Sequence, residues 1–268
     1  MERKLSDWAG NIVALAIVIV TNALANVLQY GGNSTAAVSD KYHSLFTPAG
    51  FTFSIWSLIY ALLVAFVIYQ ALPAQRGNES LARISGWFKL GCAANALWMF
   101  TWHFEWIMVA LLLMIVLLVS LVKIYRILGI VEPGVSGGER WLVQLPFSVY
   151  LAWISVALIA NMSAMQTALG WNDLGLEEVS WTLIKLSAAG VIAAIVTLRR
   201  NDVAFGLVIA WAAFGIGAGQ AATLSVASAA FTICLLAFAL AAYEMLRIVT
   251  SRSRSKKNGP RFTSRGQS

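Results

Sequence analysis

A chain of 268 residues that is 59% hydrophobic and only 12% charged is no ordinary soluble domain, in which roughly 25% of residues are charged. Apolar runs recur along its length, most reaching the ~20 residues that carry a helix across a bilayer, and none shows the alternation of a membrane β-barrel. The formal charge of +7 raises nucleic acid as a partner, but no aromatic platform is interleaved with the basic residues, which argues against it.

In chain order, the first span is expected over about Trp8–Leu28, behind Arg3 and Lys4. A cleaved signal is the competing reading, because Ala23-Leu24-Ala25 has the small residues of a cleavage site. Asp7 and Trp8 sit badly in a basic leader and favour a retained helix. A polar loop, Gly31–Thr47, leads to a second span over about Pro48–Leu72. Pro48 suits its first turn, where an N–H would have no helical partner. A third span, about Ile84–Trp102, turns at His103–Glu105 into a fourth that ends near Leu128. Beyond the glycine-rich loop around Pro133 come a fifth, about Arg140–Met165, and a sixth, about Val179–Leu198. A short seventh, about Val203–Ile216, precedes an eighth, about Ala221–Val249. The basic, Ser-rich segment after it reads as a disordered tail.

The expected fold is thus an all-α, polytopic membrane bundle of eight helices with both termini cytoplasmic. That topology places seventeen of the 19 Lys and Arg residues on the cytoplasmic side, as the positive-inside rule requires. Only Lys41 and Lys185 fall outside. The basic tail serves as a topology anchor or as a patch for anionic lipids. Cys92 and Cys234, far apart within apolar segments, read as free thiols that pack like small apolar residues.

Polar and aromatic groups that share a face inside a membrane are the informative ones. Helix 2 offers Phe53, Trp56 and Tyr60; helix 3 carries Asn95, Trp98 and Trp102 at i, i+3 and i+7. Helix 5 carries Tyr150, Trp153, Ala157 and Asn161 at i, i+3, i+7 and i+11. Each set makes one stripe. Counted at about 1.5 Å per residue, Trp56 and Asn95 lie roughly 12 Å below the outer surface. An aromatic box with two amides is one reading; interhelical hydrogen bonds and an interfacial tryptophan belt are the others. Gly215 and Gly219, four apart, suit close helix packing.

At these residues the chain resembles the TspO/MBR family of tryptophan-rich sensory proteins related to the peripheral benzodiazepine receptor. Trp56-Ser57-Leu58-Ile59-Tyr60 is similar to the family's second-helix motif, although Phe53 departs from the first spacing. Asn95 and Trp98 match its N-x-x-W, and Tyr150, Leu151, Trp153, Ala157 and Asn161 match its fifth-helix motif. The family's proline before the helix 5 tyrosine is replaced by Val149, with Pro146 upstream. The resemblance implies a five-helix unit over 1–166, three additional helices over 167–249 and the tail over 250–268. It also implies a pocket, capped by the loop after helix 1, for a flat hydrophobic ligand such as a porphyrin. Tyr42, His43 and Lys41 in that loop are candidates to meet ligand carboxylates.

The function expected is binding or sensing of a lipophilic, tetrapyrrole-like ligand in a bacterial plasma membrane, with homo-oligomer formation left open. The alternative is a transporter of a small lipophilic or amphipathic solute. An enzyme is less well supported: with His43 and His103 the only histidines and no acidic cluster within a helix, acid–base and metal chemistry have few candidates. No catalytic residue, metal ligand or resident cofactor is assigned. Any ligand breakdown would be light-driven, with Trp56 and Trp153 as neighbours.

Overall fold

The computed structural model describes residues 3–132, 134–171 and 175–257. Among them every regular element is helical. The long helices are α1 (Leu5–Leu28), α3 (Ile55–Ala71), α4 (Glu79–His103), α5 (Ile107–Ile127), α7 (Leu145–Ala168), α8 (Glu178–Arg200), α9 (Val203–Gly219) and α10 (Leu224–Lys257). Two short ones complete the series, α2 (Thr35–Lys41) and the single turn α6 (Gly137–Glu139).

Among the described residues, six segments are long and apolar enough to cross a membrane: Leu5–Ala25, Gly50–Ala71, Ile107–Ile127, Gly137–Ala168, Glu178–Arg200 and Leu224–Ser251. The two other expected spans depart from that set for different reasons. α9 is apolar but has 17 residues, about 25 Å of helix. α4 has 25 residues, ample length, but it is the polar spine of the bundle, burying Ser85, Asn95, Thr101 and His103. Packed against α1 and α5, it keeps those groups away from lipid. Leu112, Val119, Leu235 and Phe238 are exposed, the outer surface expected of a bundle whose solvent is hydrocarbon.

Local chemistry explains where the helices begin and end. Asn78 caps α4, its Oδ1 accepting from Leu81 N at 3.2 Å, so the helix starts five residues before the expected Ile84. Ahead of α7 the chain makes a π turn over Arg140–Gln144, in which Leu145 N donates to Arg140 O, five residues back. The next residue, Pro146, has no N–H to continue a regular ladder. The expected loop after α1 contains a helix of its own: Ser34 Oγ accepts from Ala37 N at 3.1 Å and starts α2. At the other end, α10 continues to Lys257 rather than stopping near Val249, because nothing before Gly259-Pro260 breaks a helix and Arg and Lys favour a helix C-terminus. Residues 258–268 of the expected tail lie outside the described residues.

Packing holds the bundle at two levels. Toward one end, Arg3 donates to Gln70 O at 2.8 Å and Gln70 Oε1 at 2.7 Å, and Asn11 adds a bond to the same Oε1 at 3.0 Å. Ser85 Oγ donates to Asn11 Oδ1 at 3.1 Å, so α1, α3 and α4 share one polar clasp. Deeper, Phe66 packs edge-on against Phe88 and Phe147, with ring centroids 5.2 and 4.8 Å away. Such pairs contribute about 0.5–1.5 kcal/mol each beyond the area they bury.

Candidate ligand pocket

Trp56, at the start of α3, organises the aromatic stripes into one array. Its ring stacks on Tyr60 at 5.5 Å and Trp98 at 6.4 Å, and meets Tyr150 at 6.0 Å and Trp153 at 6.3 Å edge-on. Trp98 stacks in turn on Trp102 at 5.6 Å, and Phe53 meets Trp153 edge-on at 6.2 Å. Residues from three separate helices therefore share one cluster.

The two expected amides do different things. Asn161 Oδ1 accepts from Trp98 Nε1 at 2.9 Å, while its Nδ2 donates to Ala157 O at 2.9 Å. It is a bracket that fixes the Trp98 plane. Asn95 donates to Tyr150 Oη at 2.8 Å and accepts from Asn22 Nδ2 at 3.1 Å. This buried chain links α1, α4 and α7.

Phe53, Trp56, Trp98, Trp153, Ala157 and Asn161 line one cavity, with the ring of Tyr42 beside them. Its enclosed space is only about 50 Å³, against roughly 300–1,000 Å³ for ligand pockets in general. A neighbouring cavity of about 360 Å³ lies between α1, α3 and α4, lined by Asn22, Tyr60 and Met99. Thr35, Phe53 and Trp56 border both, so these side chains are the partition. Asn95 and Tyr150 line neither cavity. Trp153 Nε1 is buried without a hydrogen-bond partner among the described residues, a donor that a ligand acceptor would satisfy.

The cap is fastened from both sides. Glu105, in the turn between α4 and α5, accepts from Lys41 Nζ at 2.6 Å and Tyr42 Oη at 2.7 Å, and from Asn33 Nδ2 at 3.3 Å. The hydrogen bonds from Lys41 and then Tyr42 hold its carboxyl below the ordinary range, and the bond to Glu105 raises Lys41. Lys41 and the Tyr42 hydroxyl thus face Glu105. His43 borders a separate, polar cavity instead. Trp102 Nε1 donates to Thr35 O at 3.2 Å and ties α2 to α4.

On the opposite side stands α9, which the aromatic stripes do not announce. Ala212 and Ile216 line the small cavity. Ala49 N donates to Gly215 O at 2.9 Å, Trp211 Nε1 to Thr52 O at 3.0 Å, and Gln220 Nε2 to Thr47 O at 2.8 Å. A Cβ at Gly215 would overlap Thr52 Oγ1, and one at Gly219 would lie 2.7 Å from Ala49 N. These glycines admit the loop before α3, not a helix as their spacing suggested. The strap also explains why α3 begins at Ile55 behind a 3-10 turn, Gly50–Ser54, instead of at Pro48: Ala49 N is committed to α9. The lining from α7 extends to Ala160 and Ala164, which lie on the Ala157–Asn161 face and were within reach of helical spacing. Ala212 and Ile216 carry no such signal.

Among curated proteins and among solved structures, nothing matches this chain. The family model described as TSPO-like protein matches residues 7–243, running from α1 through α9 and into α10 and so taking in the C-terminal helices as well as the aromatic motifs. The chain belongs to the TSPO-like protein family.

Proposed function

We propose that this protein is a membrane receptor or sensor that holds a flat, hydrophobic ligand of the tetrapyrrole kind against the indoles of Trp56, Trp98 and Trp153. One observation carries the reading: a stacked indole array, with the Trp98 plane bracketed by Asn161, stands at two adjoining cavities under a fastened cap. Flat π systems stack on indole faces, and a few placed polar groups orient them. The small cavity admits such a ligand once Phe53 and Trp56 turn and join it to the larger space beside α1. We further propose eight spans with both termini on the cytoplasmic side of a bacterial plasma membrane, on the charge asymmetry of the loops.

The test is equilibrium binding of protoporphyrin to the purified protein, read from the porphyrin's own absorption and emission. Saturable binding near one per chain in the micromolar range is the expected result. Partition into detergent without saturation would overturn the reading.

A carrier is the second reading, and Glu244 favours it. This α10 carboxylate is wholly buried; Oε2 accepts from Arg247 at 3.1 Å, while Oε1 has no partner among the described residues. Buried ionisable groups in membrane helices often mark proton or ion paths. Porphyrin flux into sealed vesicles that is abolished by Glu244→Gln would support carriage; binding without flux would exclude it.

A further inference from the structure

We propose a binding site for one anionic phospholipid, whose acyl chain lies in a groove between α3 and α9 and whose phosphate meets Arg140 and Arg200 at one end of it. The groove encloses about 480 Å³. α3 and α9 both pack on α7, which forms the floor with Leu145 and Val149. α3 supplies Leu58 and Leu62 to one wall, and α9 supplies Ala204 and Val208 to the other. Each pair is four residues apart, so each helix turns one apolar stripe to the same space. Leu58 and Leu207, on opposite walls, are exposed, so the groove opens toward lipid.

The two ends of the groove differ. Trp211 closes the end toward the cap loop: its Nε1 donates to Thr52 O at 3.0 Å and its ring meets Phe51 edge-on at 5.6 Å. The other end leads to basic residues. Leu145 N donates to Arg140 O, which sets Arg140 and the exposed Trp141 one π turn beyond the floor. Ser148 Oγ donates to Asp202 Oδ1 at 2.7 Å and fixes the α8–α9 turn beside α7, with exposed Arg199 and Arg200 leading into it. None of these three arginines forms an ion pair among the described residues. Asp202 is buried, and its carboxylate also accepts from Tyr125 Oη at 2.8 Å and Phe205 N at 3.1 Å. Glu139, next to Arg140, offsets one of the three charges. Guanidinium groups match phosphate bidentately, and basic pockets between membrane helices hold anionic headgroups. From Ala204 to Trp211 is about 10 Å along α9, a third of the ~30 Å hydrocarbon core. A membrane helix of a second copy would overrun both ends, whereas one chain reaching up from a headgroup at the basic end fills the groove. Under the topology proposed above that end faces the cytoplasmic leaflet; the site itself does not depend on the indole pocket.

The test reconstitutes the full chain in nanodiscs of equal phosphatidylglycerol and phosphatidylcholine, releases it in mild detergent and reads retained lipid by native mass spectrometry. The expected result is about one phospholipid per chain, with phosphatidylglycerol preferred at least fivefold. Arg140→Gln combined with Arg200→Gln brings that preference below about twofold. Ala204→Phe, which fills the groove, lowers retained lipid at least fivefold. Lys123→Gln, near the end of α5, changes neither by more than about twofold. Circular dichroism and size-exclusion profiles establish that the variants are folded. A second measurement needs no variant: phosphatidylglycerol carrying a diazirine in one acyl chain labels the parent protein around Leu58 and Leu207, mapped by peptide mass spectrometry. The proposal is overturned if the two lipids are retained equally, or if the folded arginine and Ala204 variants retain lipid as the parent does. Labelling confined to other faces, or crosslinked dimers that seat a second copy on Leu58 and Leu207, would overturn it as well.

Discussion

Trp98 and Asn161 were both visible in the sequence as members of aromatic and amide stripes, yet the bond between them, Nε1 to Oδ1 at 2.9 Å, was not. Spacing identifies which residues share a helix face; it does not say which face meets which. For the same reason Asn95 looked equivalent to Asn161, whereas its amide belongs to a chain from Asn22 to Tyr150. Glu105 was read as a turn residue, and it holds the cap. Its carboxyl is held low chiefly by Lys41 and then Tyr42, so its contribution is present above the ordinary carboxylate value of about 4.3 and is lost as pH falls through the lowered value. Hydrogen exchange over residues 33–47 is expected to quicken several-fold as pH drops below about 4, after correction for intrinsic rates. Glu105→Gln should show the faster exchange already at pH 7. Exchange that is unchanged by both would show that the clamp does not hold the loop.

At the scale of elements, hydropathy located the long helices, because a lipid-facing surface leaves a long apolar run. It missed α2, seven residues long and too short for a periodic signal, although Ser34 is an N-cap residue type. It also left α9 without a role. α9 reaches the pocket through Ala212, Ile216 and backbone groups, features that look the same in any packed apolar helix. Gly219→Ala puts a methyl 2.7 Å from the Ala49 backbone nitrogen, where no side chain can swing aside. We expect a loss of about 1–3 kcal/mol in equilibrium unfolding, with weaker porphyrin binding. Gly86→Ala is the contrast: nothing lies within 4 Å of its Cβ position, and a mid-helix Gly→Ala change stabilises by about 0.5–1 kcal/mol. Equal effects at the two sites would show that the α9 strap is not a close contact.

For the molecule as a whole, the membrane bundle was legible in composition, and the second, third and fifth expected helices carried the motifs that pointed to the family. The joining of α8–α10 to the rest was not legible, since it rests on contacts between different helices and loops, such as Trp211 Nε1 with Thr52 O and Ser148 Oγ with Asp202 Oδ1, which no spacing within one helix announces. Topology can be tested with exposed positions. In a background lacking Cys92 and Cys234, Asp40→Cys should react with an impermeant maleimide on intact cells, and Ser251→Cys only after permeabilisation. The reverse pattern, or both on one side, would contradict eight spans with both ends inside. The indole pocket itself is tested most directly by tryptophan quenching with protoporphyrin, comparing the parent with Trp153→Phe and Asn161→Ala. We predict saturable quenching in the parent and at least tenfold weaker binding when Trp98 loses its bracket or Trp153 its indole. Quenching that is absent, or equal in all three folded proteins, would contradict a ligand held against that array.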